Sequence, residues 1–202
     1  MTQKLSLITL STVCCITFYS CGSSNEKKIE TVAPPVASTP ALEQKAVSPE
    51  LAALEEKFNK DTTNYEVRAM LASNYYSSGA LEKSAYQFLK VYEHDNKNIV
   101  ALSSLGNIYY DSHQDDKAIG FYEKALEIDG KNINMRCDLA TCYSNINKLK
   151  KAIQLLKENI QMDANHAQSH YNLSVILQKK GDVKEAAEEM KTYETLKSSI
   201  KK

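Results

Sequence analysis

The chain repeats itself every 34 residues, and that period limits its architecture more than any other feature. When residues 99–132, IVALSSLGNIYYDSHQDDKAIGFYEKALEIDGKN, are slid by 34 in either direction, blocks 65–98, 133–166 and 167–200 align without a gap. Position 7 of the blocks is Leu71, Leu105, Leu139 and Leu173, and position 11 is Tyr75, Tyr109, Tyr143 and Leu177. Small residues fill position 8 (Ala72, Gly106, Ala140, Ser174) and position 20 (Ser84, Ala118, Ala152, Ala186). Position 24 is large: Phe88, Tyr122, Leu156 and Met190. A fixed period of this length marks a stack of one supersecondary unit, each copy completing its core against its neighbours. Each block holds two amphipathic helical patterns, and the small residues mark where two helix backbones press together. The break between the helices falls near position 15, at Gly79, His113, Asn147 and Gly181, three of which are the Gly or Asn that tolerate a left-handed helix end.

These columns resemble the tetratricopeptide repeat over residues 65–200, about two-thirds of the chain. The resemblance implies an all-α, right-handed α-solenoid of about four helix-turn-helix repeats, with the repeat domain at 65–202. Position 32, usually proline in the family, is Asn96, Gly130, Ala164 and Ser198, which predicts a less rigid turn between repeats, although Asn and Gly remain good turn formers. Residues 48–64 predict an N-terminal helix that acts as a half repeat, with Ser48 capping it, Pro49 at its first position and Leu51, Leu54 and Phe58 forming its apolar stripe. At the other end, Asp182 is placed to cap a last helix whose inner stripe is Val183, Ala186, Ala187, Met190 and Tyr193, with Glu185, Glu188 and Glu189 outward. That helix is expected to cap the stack, the alternative being that its flank with Leu196 and Ile200 meets another chain.

Residues 1–20 have the form of a signal peptide: Lys4 is their only charge, and Leu5 to Tyr19 is an uncharged, mostly apolar run. The run is shorter than the roughly 20 residues a membrane-spanning helix needs. It ends in Phe18-Tyr19-Ser20-Cys21, which resembles a relaxed bacterial lipobox and implies lipidation at Cys21. From Cys21 to Val47 the chain holds three of its four prolines and no sustained apolar period, so 21–47 is expected to be a disordered tether. The expected location is the cell envelope, through the lipid anchor. Gly22 after the cysteine favours the outer membrane over the inner in a diderm host.

Without residues 1–20 the chain carries 24 basic and 25 acidic residues. This balance gives no electrostatic case for nucleic acid. No phosphate loop, zinc-protease helix or paired-cysteine metal spacing occurs, so no catalytic residue, metal site or cofactor is assigned. His166 and His170 share i, i+4 spacing, but they are too few for a metal site and are expected to be ordinary surface or groove histidines. Cys137 and Cys142, five apart on one expected helix, point in different directions and are expected to be packing residues rather than a bridged pair.

The family resemblance further implies a concave groove lined by positions 2, 5, 9, 12 and 13, through which protein or peptide partners are bound. Those positions supply Tyr76, Ser103, Asn107, Tyr110, Asp111, Thr141, Asn145, Tyr171 and Gln178, with Cys137 and Ser144 among the rest. Amides and hydroxyls pair with a peptide backbone, and tyrosines give contact area at low entropic cost. The cations of the family's chaperone carboxylate clamp are absent, the corresponding positions being Ala69, Ser73, Ser104, Asn134 and Asp138. The expected function is therefore a non-catalytic, membrane-anchored scaffold that assembles proteins at a bacterial envelope. An accessory subunit of an envelope enzyme or secretion machine is the alternative, and a metal-dependent enzyme ranks last.

Overall fold

The computed structural model describes residues 48–199. The expected signal peptide, lipidated Cys21 and tether lie outside the described residues, as does Ile200. Among the described residues there are nine helices and no strand: α1 (Pro49–Lys60), α2 (Tyr65–Ser77), α3 (Leu81–His94), α4 (Ile99–Asp111), α5 (Asp115–Ile128), α6 (Ile133–Asn145), α7 (Leu149–Met162), α8 (Ala167–Lys180) and α9 (Val183–Ser199). Each packs against the next in chain order, and first helices of adjacent repeats also touch, α2 against α4 and α6 against α8. None of these helices is long and apolar enough to cross a membrane.

The first helix of each repeat stops where the backbone turns left-handed. Gly79, His113, Asn147 and Gly181 all have positive φ, between 55° and 97°. At each turn the following N–H reaches back to the carbonyl of position 11, as from Gln114 to Tyr109 and from Lys148 to Tyr143, both at 2.8 Å. This six-to-one bond closes a Schellman-type end and fixes the sign of φ whatever residue is present. His113 therefore adopts the same conformation as the two glycines and Asn147.

Between repeats the turn is closed by a device that stands in for the missing proline. Position 31 is aspartate in every repeat boundary, and position 34 is Asn64, Asn98, Asn132 or His166. Asp95 and Asp163 accept backbone N–H groups two residues on, at 3.0 and 2.9 Å. The Asn64, Asn98 and Asn132 side chains then cap α2, α4 and α6 through the N–H three residues ahead, at 3.0 to 3.1 Å. His166 caps α8 in the same way with its imidazole, toward the N–H of Ser169. An Asx turn followed by an N-cap satisfies donors that would otherwise be orphaned. The looser turn expected from position 32 is thereby overruled.

The core follows the small and large columns. Ala72 and Phe88, Gly106 and Tyr122, and Ala140 and Leu156 are buried together across the helix pairs. At the start of the stack Leu51 and Leu54 of α1 bury Leu71 and Tyr75 of α2, and Ser48 caps α1 with Pro49 at its first position. The final helix departs from expectation. Val183 and Ala187 are exposed, whereas Glu189 turns inward to meet His170, so the inner stripe is Ala186, Glu189, Met190, Tyr193 and Leu196. Asp182 gives its carboxylate to Lys180 and only its carbonyl to the N–H of Ala186.

Candidate protein-binding groove

The first helix of each repeat, α2, α4, α6 and α8, supplies the residues expected to line the concave face. Position 12 and position 13 of successive repeats lie close enough to bond across the repeat junction. Tyr76 donates its hydroxyl to Asp111 Oδ2 at 2.5 Å, and Lys179 donates its ammonium to the Ser144 carbonyl at 2.5 Å, each pair separated by 35 residues. The equivalent central pair is Tyr110 and Asn145. Asn145 turns instead to Asp115 Oδ1 of α5, at 2.9 Å, and the Tyr110 hydroxyl has no hydrogen-bond partner among the described residues. The outer junctions are tied between positions 12 and 13, whereas the middle one is tied from α6 to α5, by Asn145 to Asp115 and Tyr143 to Glu123, which leaves the Tyr110 hydroxyl unbonded.

The remaining expected groove residues divide by what holds them. Ser103 and Thr141 are half-buried and spend their hydroxyls on carbonyls of their own helices, Val100 and Cys137. Asn107 accepts the Tyr122 hydroxyl at 2.6 Å, which makes it a brace for the helix pair rather than a free contact. Tyr171 is exposed and its ring lies 5.0 Å from that of Tyr193 in α9. Gln178 is exposed at the C-terminal end. Two groove positions are not available to a ligand: Cys137 and Ser144 are buried, because α8 packs on this part of α6. Ser169 Oγ lies 3.3 Å from Cys137 Sγ, and Lys179 covers the Ser144 carbonyl.

Asp138, at position 6 of its repeat, was missed as a lining residue because only positions 2, 5, 9, 12 and 13 are implied by the family. It is solvent-exposed, and among the described residues it has no hydrogen-bond or ion-pair partner. Burial against its surroundings, and then the Asp111 charge, pushes its carboxyl up to about 6. The residue as a whole is exposed while its carboxyl is partly desolvated. Desolvation and the Asp111 hydrogen bond push Tyr76 up to about 12, and desolvation raises Tyr110. The charge of Asp138 acts on both tyrosines and on Tyr122, so these groups share one small region.

Both histidines are structural. His166 caps α8 and touches Asn134 at 3.0 Å, whereas His170 is buried between Glu189 and the Ala164 carbonyl. This corrects the expectation that His170 is a surface or groove residue. Among the described residues no three His, Cys, Asp or Glu side chains converge as a metal site. Cys137 and Cys142 are buried free thiols, raised by desolvation, as expected of packing residues. Ser169 Oγ lies 2.8 Å from His166 Nδ1, but Ser169 is fully buried and the pair closes the start of α8; what the surface offers is hydrogen bonding, aromatic area and negative charge.

Helix pairs stacked in chain order, with first helices of adjacent repeats in contact, define a helical-repeat fold. The chain belongs to the tetratricopeptide-repeat family: the model described as tetratricopeptide repeat protein 21 forth ARM domain matches residues 101–202. Solved structures with the same fold include a crystal structure of MamA (17% identity, 74% of this chain and 88% of that one, TM-score 0.69). MamA from Desulfovibrio magneticus RS-1 aligns at 19% identity over 74% of this chain and 84% of its own, with a TM-score of 0.70. MamA MSR-1 aligns at 22% identity over 74% and 86%, with a TM-score of 0.68. At such identities the likeness is one of fold. No curated protein sequence matches the chain significantly. The fold is of the non-catalytic, protein-interaction type.

Proposed function

We propose that this chain is a non-catalytic scaffold that holds partner proteins at a bacterial cell envelope, anchored by a lipid on Cys21 and binding through its concave face. The observation that carries the binding half is the unbonded Tyr110 hydroxyl at the central junction, where Asn145 ties to Asp115 instead. Tyr76, Asn107, Asn145 and Lys179 are committed to holding the wall, while the Tyr110 hydroxyl and the Asp138 carboxylate are left free in its middle. Central aromatic residues tend to dominate protein interfaces. The anchoring half rests on the apolar run that ends in Ser20-Cys21.

The test is capture of partners by the full chain from detergent-solubilised envelopes. Tyr110→Ala with Tyr171→Ala should weaken capture by about tenfold or more, with helical content and melting retained. Glu127→Ala with Lys131→Ala, both exposed on second helices and their turn, should have little effect. Capture that survives the groove changes and is lost with the outer pair would move the function to the convex side. Cys21→Ser should abolish incorporation of a labelled fatty acid, and label that persists on the variant would remove the anchor from the proposal.

A further inference from the structure

We infer that the turn edge of the third repeat is a further binding surface, which receives an acidic protein segment with its carboxylates among the ammonium groups of Lys148, Lys150 and Lys151. None of these residues is a groove position, so the surface goes beyond the concave-face reading. Where α7 begins and α8 ends, Asn147, Lys148, Leu149, Lys150, Lys151 and Lys180 line one cavity of about 440 Å³. All four lysines are exposed. Lys180 is paired with Asp182, whereas Lys148, Lys150 and Lys151 have no ion-pair or hydrogen-bond partner for their ammonium groups among the described residues. Two of the three are fixed by contact with one ring: Lys148 Nζ and Lys151 Nζ lie 6.0 and 5.0 Å from the centroid of Tyr143. Glu123, the carboxylate at that ring, is taken by the Tyr143 hydroxyl.

Charge complementarity names the occupant. Cations in the first turn of a helix oppose its macrodipole, and α7 has Lys150 and Lys151 there with no side-chain cap. The other second helices carry acids in that turn: Glu82 in α3, Asp115 and Asp116 in α5, and Glu185 in α9. The third repeat thus holds positive charge that its own chain leaves uncompensated, and incoming carboxylates relieve the repulsion. The neighbouring repeats decide which anion fits. Their corresponding cavities are lined by Asp115 and Asp116 in the second repeat and by Asp182, Glu185 and Glu188 in the fourth. A flat anionic lipid surface would meet those acids as well, so a basic spot with acidic neighbours suits a narrow segment instead. Lys150 and Lys151 are successive helix residues and point in different directions. Their charges are spread along a path and not focused on one point, which matches several carboxylates better than a single phosphate. Half-buried Leu149 and the lysine stems add apolar contact between the charges.

The test uses the full chain and short fluorescent peptides of one Gly-Ser-Thr background, whose central trio is Glu-Leu-Glu, Gln-Leu-Gln or Lys-Leu-Lys. Anisotropy should show the acidic peptide binding at least about tenfold more tightly than either of the others. The preference should shrink as salt rises from about 0.05 to about 0.5 M. Lys150→Gln with Lys151→Gln should erase it while keeping wild-type melting. Lys57→Gln with Lys97→Gln, which removes the same charge from exposed sites elsewhere in the stack, should leave it intact. Equal binding of the neutral peptide, no binding of the acidic one, or full preference in the Lys150 and Lys151 variant would each overturn the inference. Displacement of the peptide by phosphatidylglycerol vesicles or by inorganic phosphate, at equal or lower concentration of charge, would also overturn it, by making the occupant a lipid surface or a small anion. Tyr110→Ala with Tyr171→Ala should bind the acidic peptide as wild type does, and loss of binding there would return the peptide to the concave face. The scaffold reading is judged separately, by whether that same variant loses partner capture.

Discussion

Gly106→Ala is the sharpest test of how the repeats pack. A Cβ built on Gly106 would sit 2.6 Å from both Cδ1 and Cε1 of Tyr122 and 3.0 Å from its Cζ. Carbon atoms in contact prefer about 3.5 to 4.0 Å, so the ring must retreat by roughly 1 Å. It has little room, since Tyr122 is 1% exposed and its hydroxyl is tied to Asn107. Overpacking of this kind costs about 1 to 3 kcal/mol, and stretching the hydroxyl bond adds up to about 1 kcal/mol. Against that, alanine gains about 1 kcal/mol of helix propensity over glycine. The net is a loss of up to about 3 kcal/mol, which for a domain of this size lowers the melting temperature by up to roughly 10 °C.

Gly120 in α5 supplies the control, because a Cβ there meets nothing within 4 Å. Gly120→Ala should gain about 0.5 to 1 kcal/mol. Thermal unfolding followed by circular dichroism should thus move in opposite directions for one chemical change made in adjacent helices. Tyr122→Phe should rescue part of the Gly106→Ala loss, since the first repeat packs Ala72 with Phe88 in one buried cluster. If Gly106→Ala melts at or above wild type, Tyr122 is free to move and the close crossing is not what holds the second repeat.

Two further outcomes are expected. Asp138→Asn should raise the melting temperature at pH 7: the folded carboxyl titrates at about 6, above its unfolded value of about 3.9, so its ionised form disfavours folding. The advantage should shrink as pH falls from about 6 to about 4 and vanish below, and a variant no more stable than wild type at neutral pH would count against the charge argument. Asn159→Ala should cost about 2 to 3 kcal/mol by stranding buried polar groups, because Asn159 accepts from Arg136 Nε at 2.8 Å and donates to the Ile133 carbonyl at 3.0 Å. A loss well under about 1 kcal/mol in denaturant titration would mean water replaces the amide.

The period, the half repeat and the left-handed breaks were legible because each depends on one residue type recurring in one column. His113 was the exception at position 15, and it conforms because the Gln114 N–H to Tyr109 carbonyl bond dictates the conformation. The turn between repeats was legible too, but in a column not compared: aspartate at position 31 with Asn or His at position 34. The inward Glu189 was hidden for a different reason. A helix pattern places it on the polar face, and only pairing position 4 with position 23 reveals its partner, as in Arg68 with Gln87 and His170 with Glu189.

The groove was half legible because one column does two jobs. Position 12 is a free hydroxyl in the second repeat, a brace in the first and a buried residue in the third, although the family pattern treats all as lining. What decides is the neighbour: Asp111 captures Tyr76, the close approach of α8 to α6 buries Ser144, and Asn145, drawn away by Asp115, leaves Tyr110 alone. A bond across a repeat junction depends on two residues 35 apart at once, and a column read one position at a time averages over it. The same pairwise accident that leaves Tyr110 unbonded leaves Asp138 without a counterion, since no Lys or Arg occupies the facing positions of the second repeat. At the central junction the tie runs from Asn145 to Asp115 of the second helix, so the position-12 hydroxyl that braces the first junction is there left unbonded.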